Sequence, residues 1–215
     1  MRVLARLPYD TIFATVYAGL KINLCLVVAG LPLLVPLAFA STPLAAWPFF
    51  TLLSAICAPA VSAAFTTFER FTDGEHRVGR AFWSAYRSGF GRSLAIGAVA
   101  GAAVVVLAAD FQLALGGPFA AVTPMLALVI ALIVAVTPAI LATERRPAAR
   151  LWVQCAYLVI RTWYLSGASV MVLGVLAAAV VAKPAIGLFL LPAPALYVVW
   201  ANTRAVLEPL RRSPA

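Results

Sequence analysis

The chain has 215 residues, 64% of them hydrophobic and 11% charged, with a formal net charge of +9. A soluble domain carries roughly 45–50% apolar and about 25% charged residues, so a water-soluble fold is excluded and an integral membrane protein is implied. The positive balance would suggest nucleic acid in a soluble protein. Here it is read as the basic bias of cytoplasmic segments, and no nucleic-acid partner is expected.

In chain order, residues 22–40 form the first apolar run. "AFAST" (38–42) resembles a signal-peptidase site, but the segment before it is long and contains Pro8, Tyr9 and Asp10, and apolar sequence resumes at once. A retained first span is therefore expected. No charged side chain occurs from Ile22 to Phe68. At roughly 20 residues per crossing, that stretch holds two spans, 22–40 and 45–67, hinged near Ser41-Thr42-Pro43. A charged block follows over 69–92. Thr72 and Glu75 stand at capping-box spacing, which predicts a helix start. Phe82, Trp83, Tyr86 and Phe90 then fall on one helical face and Arg80 and Arg87 on the other. Two roles stay open for this segment: a helix lying in the bilayer interface with its aromatics in lipid, or a docking helix for a partner.

A third span is predicted over 93–112, with Asp110 and Gly116-Gly117-Pro118 in a turn, and a fourth over 119–142. A second cytoplasmic amphipathic segment covers 144–161, a fifth span 162–182, a turn Lys183-Pro184, and a sixth span 185–203. The fold class is thus an all-α integral membrane protein. It is a single six-span domain over 1–215, with amphipathic interfacial helices after spans two and four. With the N-terminus inside, only Lys183 of the 16 Lys and Arg falls outside, so both termini are read as cytoplasmic.

Three spans carry Pro-Ala-apolar, at Pro59, Pro138 and Pro194. This reads either as three hairpins, the first two related by parallel repetition, or as coincidence in a low-complexity apolar chain. Pro32, Pro36, Pro48, Pro59, Pro138, Pro192 and Pro194 are each expected to remove a helix hydrogen bond, which fits a pocket or plain kinked packing.

Catalytic patterns are missing from the sequence. There is no phosphate-binding or dinucleotide-binding glycine motif, and His76 is the sole histidine, so neither a HExxH zinc site nor a Ser-His-Asp site is supported. Cys25, Cys57 and Cys155 form no CxxC pair and read as packing residues. No cofactor and no metal are expected. The spans hold essentially no charge, which disfavours a proton relay. Asn23, Ser54, Ser62, Gln112, Thr123, Thr137, Ser166, Ser169 and Asn202 are expected to satisfy one another or backbone near prolines, or in part to line a cavity for a neutral ligand. Gly97 and Gly101 form a GxxxG that would let helices approach closely.

"INLCLVVAGLPLLV" (22–35), "APAVSAAF" (58–65) and "AFWSAYRSGFGRS" (81–93) resemble the YesL-like family of small bacterial integral membrane proteins. The matching positions are Asn23, Pro32, Pro59, Phe82, Tyr86 and Phe90, and the resemblance covers residues 20–95. Leu33-Leu34 stand where the family usually has a threonine after its Leu-Pro, and Cys25 stands where it has a tryptophan. The resemblance implies a bacterial plasma-membrane protein associated with carbohydrate uptake by ABC transporters, and it identifies no catalytic residue.

The functional expectation is a non-enzymatic accessory or substrate-handling subunit in carbohydrate import. Besides the lipid bilayer, its partners would be ABC permease subunits, a sugar-binding protein or a neutral glycan. An outward glycan site would use Trp47, Asp110 and Gln112. A docking role would use Phe82, Trp83, Tyr86 and Trp152. The alternatives are a substrate-capture subunit resembling those of energy-coupling-factor vitamin transporters, and a membrane scaffold or assembly factor without ligand. A lipid-directed enzyme would need an acid–base or metal cluster that the spans lack.

Overall fold

The computed structural model describes residues 9–40, 45–75, 77–115, 117, 120–143, 149–182, 187 and 189–212. His76, Arg145, Arg146, the Lys183-Pro184 turn, Gly116, Pro118 and the end of the cleavage-like sequence lie outside the described residues. Every regular element among the described residues is helical: α1 (Tyr9–Phe39), α2 (Trp47–Leu53), a 3-10 turn (Ser54–Cys57), α3 (Ala58–Thr72), α4 (Val78–Leu115), a second 3-10 turn (Ala120–Val122), α5 (Thr123–Leu141), α6 (Ala149–Arg161), α7 (Trp163–Ala182) and α8 (Pro192–Arg212). Five stretches among them are long and apolar enough to cross a bilayer: Thr15–Phe39, Trp47–Thr72, Val78–Leu115, Ala120–Leu141 and Trp163–Val180. They fall on the first five predicted spans. Within the sixth predicted span, α8 begins at Pro192 and continues through Arg204 to Arg212.

The charged block differs from expectation. Thr72 starts no helix; it closes α3, and its hydroxyl donates to the Phe68 carbonyl at 2.9 Å. Gly74 has a φ of 94°, a left-handed conformation that glycine adopts at no steric cost. The Gly74 N–H bonds back to Phe71 O at 3.1 Å and the Glu75 N–H to Arg70 O at 2.9 Å. These two bonds make the double closure of a Schellman C-cap. The Asp73-Gly74 pair therefore ends a helix where the capping-box reading began one.

After this turn α4 runs unbroken for 38 residues, about 57 Å at 1.5 Å per residue, against a hydrocarbon core of about 30 Å. The predicted interfacial helix over 69–92 and the third span over 93–112 are therefore a single rod from Val78 onward. Asp110 lies within α4, exposed, and not in a turn. The segment after span four is a separate helix, α6. On α6, Leu151, Cys155, Leu158 and Val159 are buried while Val153, Tyr157 and Ile160 are exposed.

The prolines divide by position. Pro48 and Pro59 occupy the first turns of α2 and α3, and Pro192 opens α8. A helix's first N–H groups have no intrahelical partner, so proline costs nothing there. Pro32 and Pro36 in α1, Pro138 in α5 and Pro209 in α8 are truly internal. The three Pro-Ala motifs are not equivalent either: Pro59 and Pro194 lie at helix starts, whereas Pro138 lies one turn from the end of α5.

Two apolar clusters hold the helices together. One joins α1, α3, α4 and α8 through Ile22, Phe65, Phe68, Phe82, Val199 and Trp200. The other joins α5, α6 and the lower turns of α8 to Ile96 of α4, through Ile140, Leu151, Cys155 and Leu207. At Gly97, α4 packs closely against the first 3-10 turn and the start of α3. A Cβ on Gly97 would lie 2.6 Å from Ala58 Cβ and 2.9 Å from Ala55 O, whereas one on Gly101 would meet only Thr51 O, at 3.5 Å. Close approach through small residues lets membrane helices gain dispersion contacts where lipid already matches their polarity.

Candidate functional site

At the end of the bundle where α3, α8 and the first turns of α4 carry their arginines, α3, α4, α8 and the end of α5 enclose a cavity of about 290 Å³. Arg70, Arg92 and Arg204 line it with Glu69, three guanidinium groups to one carboxylate. Arg92 is fixed in place: it donates to Ile140 O at 3.0 Å, to Thr143 O and to Thr143 Oγ1 at 3.3 Å. Those carbonyls end α5, where the last C=O groups have no helical partner and carry the negative end of the dipole. Ser62 supports the same turn by donating to Leu141 O at 3.3 Å. The Arg204 guanidinium lies 5.5 Å from the centre of the Trp200 ring, within cation–π range. Trp200 itself is buried in the first apolar cluster.

A second cavity, about 310 Å³, is apolar and more open, among the first 3-10 turn, α3, α4, α5, α7 and α8. Cys57, Gly97, Gly101, Thr137, Pro138 and Leu173 are among its walls. Thr137 Oγ1 is committed to Ile133 O at 2.7 Å, so its hydroxyl proton is spent within α5. The third feature is a shallow groove along the exposed side of α4, lined by Arg80, Trp83, Ser84, Arg87 and Ser88.

The residues singled out from the sequence separate into distinct roles. Asn23 is 4% exposed and fastens α1 to the start of α8: its Nδ2 donates to Leu190 O at 3.1 Å, and its Oδ1 accepts from the Ala193 N–H at 2.6 Å. This satisfies backbone beside Pro192 and Pro194, as expected of polar groups near prolines. Ser166 donates to Val159 O at 3.0 Å and Asn202 to Ser169 Oγ at 3.2 Å. Pro59 is buried at the start of α3, and Pro32 is exposed on α1.

Phe82 corrects the docking and lipid-facing readings. It is 0% exposed and belongs to the core between α1, α3, α4 and α8, so no partner or lipid reaches it. Tyr86 stacks on Phe82 at 6.2 Å and meets Trp83 and Phe90 edge-on at 5.4 Å each. Trp83 and Tyr86 are half-buried and Phe90 is exposed. Trp83 shares the groove with Arg80 and Arg87, so the aromatic and basic faces meet there and are not opposed. Trp152 is half-buried on α6 against the second cluster.

Trp47 is half-buried at the start of α2, and Asp110 and Gln112 are exposed near the far end of α4. None of the three lines any of the three cavities or grooves described above. Cys155 is fully buried, and burial pushes its thiol up to about 11, as suits a packing residue. Among the described residues, no group of three or more His, Cys, Asp or Glu could hold a metal. The arginine-lined cavity escaped the sequence reading because its walls come from four elements. Arg92 closes the charged block and Arg204 stands in "NTRAVLEPLRR", and neither stretch signals a shared cavity.

The composition and the five long apolar helices define an all-helical, membrane-embedded protein. Its residues 44–111 match the family model described as "Protein of unknown function, DUF624", in agreement with the YesL-like resemblance. The matched segment runs from α2 through most of α4. It contains Pro59, Phe82, Tyr86 and Phe90 of the resemblance, while Asn23 and Pro32 precede it. No curated protein and no solved structure matches the chain.

Proposed function

We propose that the protein is a non-enzymatic, six-span subunit of the bacterial plasma membrane with both termini cytoplasmic, acting as an accessory in carbohydrate uptake by an ABC-type transporter. The topology is supported by Arg70, Arg92 and Arg204. Charge bias assigns Arg70 and Arg92 to one cytoplasmic segment and Arg204 to another, and all three border one cavity, as segments on one side of a bilayer would. The partner role rests on the α4 groove, which presents Trp83 between Arg80 and Arg87 inside the family-matched segment. Tryptophan and arginine are the residues that most often carry interface energy. A glycan site at Trp47, Asp110 and Gln112 has no enclosing cavity to support it, so the proposal favours docking to permease subunits or a sugar-binding protein over direct glycan capture.

The test is gentle purification from the native membrane with identification of what accompanies the protein. Permease subunits are expected with the wild-type chain. Arg87→Glu with Trp83→Ala should lower their recovery by about tenfold, the equivalent of about 1.4 kcal/mol. Recovery of the protein alone overturns the subunit role. The apolar cavity of about 310 Å³ favours one alternative, capture of a small vitamin-like molecule. Recovery of ATPases with a general coupling protein, and thermal stabilisation by the vitamin alone, would select that reading.

A further inference from the structure

The arginine-lined cavity has more positive charge than the fold uses. Arg92 is engaged with the end of α5, where a single cation suffices to answer the helix dipole. Arg70 reaches the same space from the last turn of α3 and Arg204 from α8, while Glu69 offsets one of the three charges. The lining therefore carries a formal excess of two positive charges in a cavity with an apolar Trp200 and Phe65 wall. Like charges converging on a partly desolvated space repel one another, and an anion between them relieves that repulsion.

We propose that this cavity binds an anionic phosphate ester, with Arg70 and Arg204 as its ligands and Arg92 as a fixed positive charge behind them. Guanidinium groups match phosphate oxygens with paired N–H donors. Arg204 is oriented by the Trp200 ring and Arg92 by the α5 carbonyls, so two of the three charges are held before a ligand arrives. Size limits the ligand. A cavity of about 290 Å³ lies at the small end of ligand pockets, about 300–1,000 Å³, and takes a phosphorylated headgroup or a small phosphorylated solute but not an oligosaccharide. The site goes beyond the docking role and lies apart from the α4 groove, with Ser88 alone lining both.

Two sources offer this chemistry, a bilayer phospholipid and a soluble phosphate ester, and thermal unfolding of the purified full chain followed by tryptophan fluorescence separates them. One arm adds inorganic phosphate or glycerol 3-phosphate against chloride at matched ionic strength. The other compares micelles containing phosphatidylglycerol with micelles containing phosphatidylcholine. A rise in the midpoint of about 2 °C or more, the response to roughly 1 kcal/mol in a chain of this size, is expected in one arm and names the source. Arg70→Gln with Arg204→Gln should abolish it. Arg150→Gln with Arg161→Gln, an equal charge loss on exposed positions of α6, should retain it. Should the cavity pair fail to fold, Arg70→Gln alone, at an exposed position, should weaken the apparent affinity by at least about tenfold, the low end of what one charged hydrogen bond contributes. No rise in either arm, or a rise of equal size and affinity in the cavity variants, overturns the proposal.

Discussion

The two halves of α4 use polar residues in different ways. In its first half Arg80 and Arg87 are exposed, but Arg92 is half-buried and bonded to the end of α5, and Phe82 fills the core. Near its far end, Asp110 and Gln112 are exposed and border none of the cavities described. The contrast teaches that charge bias assigned the arginines to one side of the membrane without revealing that some of them also build the fold. A residue placed by topology can still be an internal cap.

The sharpest way to break that contrast is Arg92→Met. It keeps bulk and removes the guanidinium donors to Ile140 O and Thr143 O, although Ile140 O keeps the Thr143 N–H at 3.2 Å and the Thr143 hydroxyl at 2.8 Å. Bonds to charged groups contribute about 1.5–3 kcal/mol, so a loss of about 3 kcal/mol is expected. In a chain of 150–250 residues that lowers the unfolding midpoint by about 6–12 °C, readable by tryptophan fluorescence in detergent. A midpoint within 2 °C of wild type would return Arg92 to a purely topological role.

Next in size is Gly97→Val. Its Cβ would stand 2.6 Å from Ala58 Cβ and 2.9 Å from a backbone carbonyl, neither of which can swing aside. Overpacking of this kind costs about 1–3 kcal/mol. Gly101→Ala, whose Cβ meets only Thr51 O at 3.5 Å, should cost well under half as much. Equal losses at both positions would show that the tight α3–α4 contact is not centred on Gly97. Asn23→Ala removes both bonds to the start of α8 and should cost about 1–3 kcal/mol. Hydrogen exchange should then rise at Ala193, the amide that Asn23 Oδ1 accepts from.

Much of this was legible in the chain and some was not, for physical reasons. Apolar run length gave five helices because a bilayer fixes how many residues a crossing needs. The GxxxG pointed to a close helix approach without naming the partner, and only Gly97 makes one, against Ala55 and Ala58. The α3–α4 junction was misread because Thr72 and Glu75 fit a start signal while Asp73-Gly74 fits a stop. The stop prevails once the left-handed glycine lets two orphan carbonyls be satisfied. Phe82 was read as facing lipid or a docking partner because apolar periodicity marks a face without saying what covers it. The arginine cavity was hidden because Arg70 and Arg92 stand at the two ends of the charged block 69–92 and Arg204 lies in the last helix, so no local pattern displays their convergence.

The smallest expected effects lie at the far end of α4 and complete the contrast. Asp110→Asn and Gln112→Ala alter exposed side chains, and substitutions of that kind usually stay within about 0.5 kcal/mol. Their unfolding midpoints should match wild type within about 2 °C. Because a stability measurement alone would miss a ligand site, the same variants should be compared for neutral-glycan binding by thermal shift. If either variant removed a glycan-dependent stabilisation present in the wild type, the far end would hold a site built without an enclosed cavity. Function would then be divided between the two ends of a single helix.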